Sequence, residues 1–120
     1  MSTKTTSSDY MVISRGEWDK SLSSEEIQNA ISQFWTWFER LSNERKIKGG
    51  HRLADEGKIL AGKKSVTDGP FGESKEVVGG YWFMVADSLE EAAKLAQGNP
   101  CLDYGITVEV RPVMTNPMES

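Results

Sequence analysis

Tyr10-Met11-Val12-Ile13-Ser14 is apolar on both alternating faces, a pattern that suits a central strand covered on two sides. The period then lengthens. Ile27, Ile31, Phe34, Trp35, Phe38 and Leu41 follow one another at steps of 4, 3, 1, 3 and 3 residues, a core stripe along one face of a long helix, with Trp37 left on another face. Leu22-Ser23-Ser24-Glu25-Glu26-Ile27 opens this helix, with Ser23 as N-cap, Glu26 closing a capping box and Leu22 stapled onto Ile27. Gly49-Gly50 is its natural stop.

Residues 51–54 then suit a short strand, and 58–61 with 64–67 a small hairpin turning at Gly62-Lys63. Residues 81–86 form the best strand of the chain, with Tyr81, Phe83 and Val85 on one face and Trp82, Met84 and Ala86 on the other. Asp87-Ser88-Leu89-Glu90-Glu91 opens a second helix that Gly98-Asn99-Pro100 closes, its inward face being Leu89, Ala92, Ala93 and Ala96. The last strand, 106–113, sets Ile106, Val108 and Val110 opposite Thr107, Glu109 and Arg111.

Strand, helix, two or more strands, helix, strand is the order of a ferredoxin-like α+β unit, an antiparallel sheet with two helices on one face. The other face is then uncovered. Tyr10 or Met11, Trp82 and Met84 would leave a large apolar patch there, so association into a homodimer is expected.

A chain of 120 residues with 38% hydrophobic content suits one domain, placed at 9–113 between tails at 1–8 and 114–120. With 14 Lys and Arg against 18 Asp and Glu, and no basic run, nucleic acid is not an expected partner. The start lacks an apolar signal region and no stretch approaches the roughly 20 apolar residues of a membrane span, so a soluble cytoplasmic protein with no membrane partner is expected. The single cysteine, Cys101, excludes an internal disulfide and a Cys-based metal cluster; a buried inert thiol is the favoured reading. No glycine-rich turn opens a helix as a dinucleotide loop must, and no cofactor or metal is expected.

The densest chemistry lies at residues 68–80, Asp-Gly-Pro-Phe-Gly-Glu-Ser-Lys-Glu-Val-Val-Gly-Gly. Asp68-Gly69 is a turn dipeptide, Pro70 lacks an N–H, and the glycines shape the connection. This string, with Tyr81-Trp82-Phe83 and Val108-Glu109-Val110-Arg111-Pro112-Val113, resembles the YCII-related family, in particular its branch marked by a D-G-P-F loop. The resemblance implies a dimeric α+β barrel in which two such sheets face each other. In better-understood relatives it also implies a His on the first helix that pairs with an Asp to remove a proton. The segment from Ser23 to Lys48 contains no His, so this chain departs from that dyad.

Asp68, at the exit from a strand, is a candidate base or ligand-orienting carboxylate, against the reading that it only accepts hydrogen bonds from its own turn. His51 is the only histidine and the candidate for proton transfer, against an exposed or backbone-bonded role at a strand edge. Glu73 and Lys75 would rim a pocket or form a solvated loop. Glu109 and Arg111 would face the cavity between the sheets, where Arg111 suits a carboxylate, or else satisfy each other or a partner across the dimer. Two functions compete on these residues. One is a small enzyme that abstracts a proton from a small anionic or phenolic metabolite. The other is a non-catalytic ligand-binding or regulatory dimer, since relatives of this branch occur beside sigma-factor-like regulators.

Overall fold

The computed structural model describes residues 8–54, 56–64, 66–69 and 77–114, the side chains of 66–69 excepted. In chain order the elements are β1 (Ser8–Arg15), α1 (Ser24–Asn43), β2 (Ile47–Arg52), β3 (Gly57–Leu60), β4 (Val66–Gly69), β5 (Val78–Ala86), α2 (Leu89–Ala96), a 3-10 helix at Pro100–Tyr104 and β6 (Thr107–Pro112). Four strands form one sheet in the order β2-β5-β1-β6, and every pairing in it is antiparallel. This is the expected ferredoxin-like α+β arrangement. The β3–β4 hairpin is a separate two-stranded sheet inserted between β2 and β5.

The start of α1 follows its sequence signal. Ser23 Oγ accepts the Glu26 N–H at 3.1 Å and the Ser23 N–H donates to Glu26 Oε1 at 2.9 Å. The backbone N–H of Ser23 and then its hydroxyl hold the Glu26 carboxyl below its usual range, because both hydrogen bonds favour the anion. The end of α1 differs from expectation. It stops at Asn43, well before Gly49-Gly50, because Arg45 takes a positive φ of 63° and the chain turns there. The Lys46 N–H donates to Leu41 O at 2.8 Å and the Arg45 N–H to Ser42 O at 3.0 Å, the two bonds of a Schellman cap built without glycine.

The buried side of α1 is also different. Ala30, Trp37 and Leu41 are buried, with Trp37 only 6% exposed, whereas Trp35 is 45% exposed. At about 100° per residue, Trp37 lies roughly 20° from Ala30 and Trp35 roughly 140° away. The single-residue step from Phe34 to Trp35 therefore leads off the core face. On α2, Ala92 and Ala96 are buried and Leu95 packs with them, while Leu89 and Ala93 are exposed.

The sheet face under the helices carries Tyr10, Val12, Ile47, Trp82, Met84 and Ala86, all buried, with Val108 and Val110 packed against them. The expected outward patch of Tyr10, Trp82 and Met84 is thus the core itself. The outward face is that of Met11, Ile13, Tyr81, Phe83 and Val85, which are half-buried. Both faces of β1 and β5 are apolar, so alternation separates the two sets without stating which one meets the helices. Trp37→Ala is expected to lower unfolding stability in urea by about 3–5 kcal/mol. Trp35→Ala should cost about 1 kcal/mol. Equal losses would contradict the observed helix face.

Candidate functional site

The site begins with an irregularity in β2. Ile47 pairs with Met84, Lys48 with Phe83, Gly50 with Trp82 and His51 with Tyr81, so Gly49 is an extra residue, a β-bulge. Ile47 and His51 are an even number of residues apart, and an unbroken strand would put both on the helix side. The bulge returns His51 to the outward parity, beside Tyr81. Gly50, at φ 119°, lies tight against β5: a Cβ there would fall 2.6 Å from Trp82 Cβ and closer still to the Tyr81 carbonyl oxygen. Only glycine fits this approach.

His51 Nδ1 and Tyr81 Oη are 2.8 Å apart, a hydrogen bond whose donor is set by the imidazole tautomer. Both residues line a cavity of about 540 Å3 at the end of the sheet. Phe34, Trp35 and Phe38 of α1 and Trp82 of β5 supply its aromatic wall, Arg52, Glu17 and Trp18 contribute from β2 and from the segment after β1, and Asn99 and Cys101 close it from the 3-10 helix. The Phe34 and Phe38 rings stand edge-on to Trp82 at 5.5 and 5.9 Å. A cavity of this size, mostly apolar with a few polar groups, fits a small aromatic molecule.

Burial pushes the Cys101 thiol up from its ordinary value of 9.0 to about 11, against a smaller opposing effect of the Arg52 charge. At neutral pH it is therefore a thiol and an inert part of the wall. Asn99 Oδ1 accepts the Cys101 N–H at 2.8 Å and caps the 3-10 helix.

Of the described residues singled out as site candidates, His51 lies on this cavity. Glu109 and Arg111 lie on the outward face of the sheet, on β6. The principal partner of Glu109 is Arg15, whose guanidinium donates to Oε1 at 3.0 and 3.2 Å, while Arg111 Nε stands 3.9 Å from Oε2. The Asp68-Gly69 pair, expected as a turn, forms the end of β4, where Asp68 pairs with Lys58. The Asp68 side chain, together with Glu73 and Lys75, lies outside the described residues. Tyr81, Arg52 and Asn99 were not singled out as site residues. Tyr81 reads as one more apolar strand residue, and only the bulge brings it to His51.

Among the described residues no group of three or more His, Cys, Asp or Glu is placed to hold a metal ion, and no helix is long and apolar enough to cross a membrane.

Residues 10–116 match the family described as the YCII-related domain. None of the curated proteins matches the chain. Among solved structures, a 5-chloro-2-hydroxyhydroquinone dehydrochlorinase from Burkholderia phenoliruptrix, in complex with 2,5-dihydroxybenzoquinone, aligns at a TM-score of 0.46 and 16% identity over 93% of this chain and 98% of its own.

Burial of the Cys101 thiol couples stability to pH. A group whose pKa is higher in the folded than in the unfolded chain contributes stability that is complete below pH 9.0 and lost as pH rises through about 11. Iodoacetamide at pH 8 is expected to alkylate Cys101 far more slowly in the folded protein than in urea. Equal rates would contradict the burial of the thiol.

Proposed function

The chain belongs to the YCII-related family, and on that premise we propose that it binds a small aromatic metabolite in the cavity at the end of the sheet and moves a proton on it with His51. The observation that carries the proposal is the 2.8 Å bond between His51 Nδ1 and Tyr81 Oη at the wall of a 540 Å3 aromatic cavity. When Nδ1–H donates to Tyr81, Nε2 holds the lone pair that accepts a proton from a phenolic O–H or an acidic C–H. The products of that step are an imidazolium and a ligand anion. Arg52, also on the cavity, supplies positive charge near the anion. Asp68, Glu73 and Lys75 enter the proposal as charges carried on β4 and the segment after it. Arg111 and Glu109 belong to the outward face.

That face supports a second element of the proposal, a homodimer. Met11, Ile13, Phe83 and Val85 form an apolar centre on the uncovered side of the sheet. The pair of Lys48 with Asp9 at 2.8 Å flanks it on one side, and Arg15 with Glu109 on the other. An apolar centre with a charged rim is the usual build of an association surface. Light scattering is expected to give the mass of a dimer at micromolar concentration, and Phe83→Lys that of a monomer. An unsubstituted monomer would remove this element.

The absence of histidine from α1 favours the alternative of a ligand-binding dimer without turnover. Deuterium exchange separates the two readings. With an enolisable aromatic acid such as phenylpyruvate in D2O, the protein is expected to accelerate exchange of the acidic C–H. His51→Gln should reduce that acceleration by about 100-fold or more while binding persists. Binding without accelerated exchange would leave the non-catalytic reading.

A further inference from the structure

The cavity wall holds a buried donor without an acceptor. Trp82 is 4% exposed, and its indole N–H is buried with no hydrogen-bond partner among the described residues. Asn99 is 3% exposed. Its Oδ1 takes the Cys101 N–H, which fixes the orientation of the amide and leaves its NH2 as the donor end of the side chain. A buried donor left unpaired costs about 1–3 kcal/mol, so the Trp82 indole calls for an explanation. The rings around Trp82 do not supply it. Phe34, Trp37 and Phe38 meet the indole at interplanar angles of 60°, 76° and 83°, packing that offers an N–H a weak π contact at best. Among the described lining residues the one carboxylate is that of Glu17, which is exposed, while Arg52 adds a positive charge. The indole N–H is therefore a donor that the described residues leave unused.

We infer that the ligand carries an oxygen acceptor, a carboxylate, phenolate or ring carbonyl, that takes the side-chain N–H of Asn99 and the indole N–H of Trp82. The inference rests on the reading of this cavity as a ligand site and adds the chemical class it selects. The ligand's own ring lies against Phe34 and Phe38, the half-buried rings of the aromatic wall. A charged acceptor gains most, since hydrogen bonds to an ion in a water-poor site are the stronger kind.

The test uses 15N-labelled full-length protein with benzoate and with toluene, which has the same ring and no acceptor. The backbone amides of Gly79 and Gly80, on the cavity wall, report occupancy, and Trp82→Phe assigns the Trp82 peak among the four indoles. Both probes are expected to move the glycine amides. Only benzoate should move the Trp82 indole and the Asn99 side-chain amide. Asn99→Asp keeps an oxygen for the Cys101 N–H and exchanges the NH2 donor for an acceptor, and it should weaken benzoate about tenfold or more without affecting toluene. Benzoate that moves Gly79 and Gly80 but neither side-chain group, or that binds Asn99→Asp unchanged, overturns the inference and leaves the ligand site standing. Failure of both probes to move the glycines removes the site and the inference together.

Discussion

The packing of Trp82 beneath α1 is the contact on which the remaining structure depends. Trp82 is on β5, which lies between β1 and β2, and the rings of Phe34, Trp37 and Phe38 surround it at centroid distances of 5.5 to 6.3 Å. Val12, Leu41, Ile47, Met84 and Ala96 join the same cluster, which ties β1, α1, β2, β5 and α2 into one core. Burying an indole of this size removes about 150–250 Å2 from water, worth about 4–6 kcal/mol at the usual area coefficient. The same ring then ends as a wall of the cavity. Core and candidate site are therefore not separable here: the residue that fixes the helix on the sheet also bounds the space in which a ligand would sit.

That shared wall explains the chemical character of the cavity. An aromatic core that fails to close completely at the end of the sheet leaves an apolar space, and the polar groups on it come from elements that end there. His51 and Arg52 come from the end of β2, and Asn99 from the cap of the 3-10 helix. Each has a local structural duty as well. Asn99 holds the Cys101 N–H and His51 bonds Tyr81, so their side chains are oriented before any ligand arrives.

The architecture was legible in the sequence because capping, strand alternation and element order agree. Ser23 with Glu26 located the start of α1, and the run Asp87-Ser88-Leu89-Glu90-Glu91 that of α2, where Ser88 Oγ accepts the Glu91 N–H at 3.1 Å. What remained hidden has specific causes. Arg45 ends α1 in a left-handed conformation that glycine usually takes, so Gly49-Gly50 looked like the stop when it is the bulge. Trp35 and Trp37 are equally apolar, and only the angle around the helix separates them. For β5, with large residues on both faces, the choice of inward side belongs to the tertiary structure. Among the described residues, the candidate site was legible at His51. Its partner Tyr81 is 30 residues away, and their meeting depends on one extra residue in β2.

That dependence changes what the stretch from Ile47 to Arg52 can tolerate over evolutionary time. A loop accepts insertions and deletions of any length, whereas a paired strand with a bulge has parity. Loss of one glycine would leave the pairing of Ile47 with Met84 intact and invert every side chain after it, carrying His51 under the helices and exchanging the roles of its neighbours. Substitutions can adjust this site gradually, but a length change of a single residue acts on it as a switch between two different surfaces.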